Sequence, residues 1–180
     1  VPLIGWDTGG LFEMFTEQAR EAIVCAQDEV RELGHETVRV EHLLLGLFSD
    51  RDGIAGRVFA DFGLTIGPVR DLVGLRFGVG HGSLAEGRVP FSPEAKAALR
   101  SAARFGMGVP GTEHVLVVIM RRGEGGACDI LRALGVDPHR VRFEAKKRAW
   151  PSSIPQPGAA ATVVGRTMPL KSLGELDFGD

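Results

Sequence analysis

The sequence is internally duplicated, and that limits its fold more than any other feature. Glu-His followed by aliphatic residues occurs at Glu41-His42 in VEHLLLGLFS and again at Glu113-His114 in GTEHVLVVIM, 72 residues later. The flanks match as well. Phe15-Thr16-Glu17-Gln18-Ala19-Arg20 precedes the first copy and Phe91-Ser92-Pro93-Glu94-Ala95-Lys96 the second, each reading aromatic, hydroxyl, polar, alanine, base. Downstream, GIAGRVFADFGL (53–64) aligns with GGACDILRALGV (125–136), again 72 apart. Three matching blocks in one order define a repeat, and a repeat implies two copies of one structural unit. The spacing from Phe to Glu is 26 residues in the first copy and 22 in the second, so the second is shorter by about one helical turn.

Each copy reads as four helices. Apolar residues at Ala19, Ala22, Ile23, Ala26, Val30 and Leu33 give 16–33 a helical period. Thr16 is placed to cap it, Glu17 sits where the helix dipole favours negative charge, and Gly34 stops it. Further helices are expected over about 40–48, apolar on most sides, 54–62, and 65–77 with Thr65 as N-cap. The order recurs at about 93–105, capped by Ser92 with Pro93 in the first turn, then at 112–121, 126–134 and 138–149, the last opened by Asp137-Pro138. Sustained period-two alternation is missing, so the fold class is all-α: eight helices in two pseudo-twofold four-helix repeats. The divisions are an N-terminal extension (1–11), repeat one (12–77), a Gly-rich linker (78–89), repeat two (90–149) and a flexible Pro/Gly-rich tail (150–180). An apolar patch in that tail, Met168–Leu173, is not assigned a docking site.

Several function classes are excluded by composition and motif. A net charge of −2 without a basic stripe gives no footprint for nucleic acid. No apolar run approaches the roughly 20 residues that span a bilayer, and the N-terminus lacks a secretory signal pattern, which points to the cytoplasm. The first residue is not Met, so the chain is open to being part of a longer product. Cys25 and Cys128 lie far apart in helical segments and read as buried free thiols. There is no GxxxxGK[ST], no HExxH, no nucleophile elbow and no converging histidine spacing, so no enzyme activity, cofactor or metal is expected.

That leaves the Glu-His pairs. Glu41 and Glu113 fall in the first turn of their helices, where a carboxylate stabilises the positive end, and His42 and His114 are placed as core histidines. The alternative is that each Glu is an accessible carboxylate beside outward-pointing backbone N–H groups, suited to a ligand carrying both a cation and an anion. Spacing leaves both readings open.

The ordered blocks LFEMFTEQARE, the Gly-His turn, V-E-H-L-L-L-G-L and G-T-E-H, G-I-A and L-G-V resemble the double-repeat N-terminal domain of Clp ATPases, nearest the ClpC branch, over about 12–148. The resemblance implies a module that recognises substrates and adaptors for Clp-dependent proteolysis and binds phosphorylated arginine, one site per repeat. Carried over by position, Thr16 and Glu41 form the first site, and Ser92 and Glu113 the second, with the Glu holding the guanidinium and the hydroxyl assisting the phosphate. It also matches Phe12, Gln27, Phe91 and Lys96 to a face that binds cyclic-peptide antibiotics; ordinary packing of Phe12 and Phe91 is the other reading. The first copy departs from G-T-E-H, reading Arg39-Val40-Glu41-His42, so Arg39 is expected either to pre-pair Glu41 or to add a phosphate contact. The intact second copy is the better candidate on sequence. The function implied is a stand-alone recognition module for phosphoarginine-tagged proteins, adaptors or peptide-like ligands. The alternative is an N-terminal fragment of a ClpC-type ATP-dependent unfoldase, and a less favoured third is an independent enzyme using the groove.

Overall fold

The computed structural model describes residues 10–78, 80, 89–105, 108–121, 123 and 125–150. The expected linker and tail lie almost wholly outside them, as does Met168–Leu173. Eight α-helices follow in order: α1 (Glu17–Glu32), α2 (Val40–Gly46), α3 (Ile54–Asp61), α4 (Ile66–Phe77), α5 (Pro93–Ala103), α6 (Thr112–Ile119), α7 (Gly126–Ala133) and α8 (Pro138–Ala149). Among the described residues there is no strand, only one isolated bridge between Val38 and Phe91. A short 3-10 turn at Leu11–Met14 has no counterpart in the sequence reading.

The helix ends follow side-chain chemistry. Thr16 Oγ1 accepts the Ala19 N–H at 3.3 Å, Ser92 Oγ accepts the Ala95 N–H at 3.1 Å, and Asp137 Oδ1 accepts the His139 N–H at 2.9 Å. Thr65 stands at the N-cap of α4, but its side chain makes no capping bond. The matching helices α3 and α7 stop alike. Gly63 and Gly135 take φ of 64° and 73°, letting the next N–H (Leu64, Val136) reach back to Phe59 O and Leu131 O, both at 2.9 Å. The predicted shortening of the second copy is in its first helix: α1 has 16 residues and α5 has 11.

The repeats are interleaved. Within each, the first helix packs on the second (α1 on α2, α5 on α6); across them, α1 meets α6 and α5 meets α2. The fourth helices also cross: α4 lies on α2 and α7, α8 on α6 and α3. Each of these contacts has its two-fold mate. The backbone ties the halves at equivalent points, where the Thr16 N–H donates to Pro110 O at 3.0 Å, the Val38 N–H to Pro90 O at 2.8 Å and the Ser92 N–H to Val38 O at 2.9 Å. One continuous core results, including Ile23, Leu44, Phe59, Leu99, Leu116 and Leu131. Cys128 is buried within it as expected, whereas Cys25 is only half-buried because it faces outward beside Ser49.

Candidate functional site

The recurrence of histidine in Glu-His has a structural cause. In both copies it is the third residue of its helix and turns back on the cap. His42 Nδ1 accepts the Arg39 N–H at 2.9 Å, and His114 Nδ1 lies 3.0 Å from the Gly111 N–H. Each imidazole thus takes the part that Glu or Gln plays in a capping box.

His42 goes further. It is completely buried, and its Nε2 lies 2.8 Å from His35 Nδ1, whose Nε2 is 2.7 Å from Gly78 O. The partners fix the tautomers. His35 Nε2–H donates to the carbonyl, so His35 Nδ1 accepts from His42 Nε2–H. Burial, with His35 and Arg39 nearby, pushes the His42 pKa down to about 3, and it is neutral at any ordinary pH. In the second repeat an aromatic wall stands in for His35: Trp150 and Phe105 meet His114 edge-on, at 4.8 and 6.5 Å between ring centres.

Glu41 lies at the floor of a groove of about 740 Å³ between the repeats. Its walls come from the start of α2 (Arg39, Val40), the start of α5 (Ser92, Pro93, Glu94), the end of α6 (Val118, Ile119, Arg121) and the start of α7 (Gly125, Gly126, Ala127). Glu41 is only 7% exposed, yet among the described residues no cationic group comes within 4.0 Å of it. Burial pushes its carboxyl above the usual range, against its own backbone N–H and the more distant Arg39 and Arg76. Its carboxylate rests on Gly126, where any Cβ would overlap it. Arg39 does not pre-pair it. The guanidinium lies over the Phe77 ring, 4.8 Å from its centre, while the residue still lines the groove.

Glu113 is placed differently. Its Oε1 lies 2.9 Å from His114 Nδ1. Burial acts to raise its carboxyl, but the adjacent His114 and its own backbone N–H outweigh this and hold it below the usual range. The neighbouring Thr112 hydroxyl donates to Asp50.

These placements bring together residues from different repeats. The groove of Glu41 is completed by Ser92, and Thr16 is tied instead to Pro110, beside the Gly111 cap of Glu113. The reason is the interleaving, since each first helix begins against the other repeat's second helix. Gln27 is buried on α1; Lys96 is half-buried on α5. Phe91 is 8% exposed and belongs to the core, with half-buried Phe12 packed against that core. Gly126, Arg121 and Asp50 were not singled out by sequence. An offset of 72 applied to residues around each Glu would have flagged Arg121 opposite Ser49.

Among the described residues no group of three or more His, Cys, Asp or Glu could hold a metal, and no helix is long and apolar enough to cross a membrane. A family model described as the Clp repeat (R) N-terminal domain matches residues 14–107. Curated relatives include the chloroplastic chaperone protein ClpC2 of Oryza sativa subsp. japonica, 40% identical over 141 residues. Another is the chloroplastic ATP-dependent Clp protease ATP-binding subunit ClpA homolog of Brassica napus, 40% identical over 138. These alignments cover 76% and 74% of this chain but only 15% and 16% of the relatives' length. Among solved structures, the N-terminal domain of ClpD from Arabidopsis thaliana superposes with a TM-score of 0.65 at 26% identity, covering 81% of this chain and 99% of that one. The N-domain of ClpV from Vibrio cholerae, at 15% identity and TM-score 0.58, covers 81% and 91% and shares the fold.

Proposed function

Because the chain belongs to the Clp repeat N-terminal domain family, we propose that it is a binding module, without catalysis of its own, which captures phosphoarginine-bearing proteins or similar peptide-like ligands and adaptors for Clp-dependent proteolysis. The observation that carries this is the state of Glu41: a nearly buried carboxylate on the floor of an open groove with no cation, among the described residues, within 4.0 Å of it. Such a group gains most from a ligand that brings its own positive charge in planar, two-pronged form, as a guanidinium does. Arg39, Arg121 and the N-terminal turn of α5 supply positive potential for an attached phosphate.

Calorimetric titration of free phosphoarginine tests it. Saturable binding that weakens strongly in Glu41→Ala, with the ligand recovered chemically unchanged, is the expected result. No heat from a protein with an intact helical circular dichroism spectrum would overturn the ligand class, and loss of ligand on incubation would favour an enzyme.

A second reading, an N-terminal part of a longer ClpC-type ATP-dependent unfoldase, is favoured by the small share of its relatives that the chain spans. A reading frame with a P-loop beyond Asp180 would establish it. Binding of cyclic-peptide antibiotics at Phe12, Gln27, Phe91 and Lys96 draws less support, because Phe91 already serves the core. Unchanged antibiotic affinity in Phe91→Ala would remove it.

A further inference from the structure

The two halves present the same elements around Glu41 and Glu113 but different charge at matching positions. The Glu41 groove is lined by Arg39 and Arg121, which stand against Glu41 and the exposed Glu94. At the positions offset by 72 the second repeat's surroundings have Gly111 and Ser49, so both arginines are lost. A carboxylate is added in their place. Asp50, next to Ser49, is buried, accepts the Thr112 hydroxyl, and lies so close to Gly53, the N-cap of α3, that a Cβ there would overlap it. The start of α3 is therefore already met by an anion belonging to the chain. Glu113 Oε1 lies 2.9 Å from His114 Nδ1, the atom that caps Gly111.

We infer that Asp50 closes the second, pseudo-equivalent groove to anionic ligands, so that the chain takes one phosphorylated guanidinium ligand, at Glu41, and not two. This rests on the ligand class proposed above. A phosphate brings a charge of about −1.5 to −2. Beside Glu41 it meets two guanidinium groups; beside Glu113 it meets the buried Asp50 carboxylate, which repels it. The intact G-T-E-H sequence thus marks the closed groove, and the altered copy the open one.

The test is the stoichiometry of phosphoarginine binding to the full chain, measured by calorimetry for wild type, Glu41→Ala, Glu113→Ala and Asp50→Asn. Asn keeps an acceptor for Thr112 while removing the charge, and circular dichroism verifies each fold. One site is expected in the wild type, unchanged in Glu113→Ala and weakened by on the order of 30-fold or more in Glu41→Ala. Asp50→Asn is expected to gain a second, weaker site that Glu113→Ala then removes. Two sites in the wild type, or a loss in Glu113→Ala larger than in Glu41→Ala, overturns the inference. If the wild type binds nothing, the proposed ligand class fails by itself. Binding that appears in Asp50→Asn alone would still identify Asp50 as the closing group, and none there overturns the closure as well.

Discussion

Gly126 is the residue on which the groove floor depends. It begins α7 directly under the Glu41 carboxylate, and a methyl group there would occupy the same space. Gly126→Ala is therefore expected to push the flexible Glu41 side chain aside, so that phosphoarginine binding falls while stability, read by urea denaturation, changes little. His42 sets a pH dependence. Its folded pKa of about 3 lies below the ordinary 6.5, so between those values the unfolded chain binds a proton that the folded one does not. Stability then falls on acidification, by at most about 1.4 kcal/mol per pH unit from this one group. The depressed Glu113 acts in the same direction at lower pH and the raised Glu41 in the opposite one, so the histidine's share over the pH 5–6.5 interval is the difference between wild type and His42→Gln. Melting curves across that interval should flatten in His42→Gln. Sequence located both Glu-His pairs but not their roles. The capping bond requires only local spacing, whereas the His35–His42 contact needs the chain to double back through a turn that leaves no periodic trace.

Among the elements, α1 and α2 cross closely at one glycine. Gly46, the last residue of α2, rests on the backbone of α1, where a Cβ would overlap Ala22 O and press on Ala26 N. The corresponding position in α6 is Val118, so α5 and α6 do not need the same approach. Gly46→Ala is expected to force α1 and α2 apart, costing about 1–3 kcal/mol, whereas Val118→Ala, at a half-buried position lining the groove, should cost less; paired denaturation curves decide it. At this scale the sequence was highly legible. Apolar period, hydroxyl or Asp caps and terminal glycines located all eight helices to within two or three residues, because each signal is local to its own helix. The 3-10 turn at Leu11–Met14 escaped because four residues are too few to show a period.

For the whole molecule, neither four-helix set has a complete core or groove by itself. Backbone bonds join Thr16 to Pro110, and Val38 to Pro90 and Ser92, while α4 and α8 each cover a helix of the other half. Unfolding should therefore be one cooperative transition, with calorimetric and van't Hoff enthalpies equal, and a fragment ending near Gly78 should lack a melting transition. Two separate transitions would show independent halves. The pairing of Ser92 with Glu41 was not legible because the repeat alignment compares residues by order along the chain. Which half completes which groove is decided by packing between helices far apart in sequence.

A lone repeat carries half of each groove. Any shorter ancestor of this chain would thus have had grooves only as a symmetric homodimer, and its two grooves would have been identical, since one gene encoded both. Joining the copies in one chain removes that bond. A substitution such as arginine at 39, with glycine kept at 111, then changes one groove and spares the other. Asp50, opposite Arg122 in the other copy, is a difference of that kind, and carrying both copies in one chain is what lets one pocket close while its twin stays open.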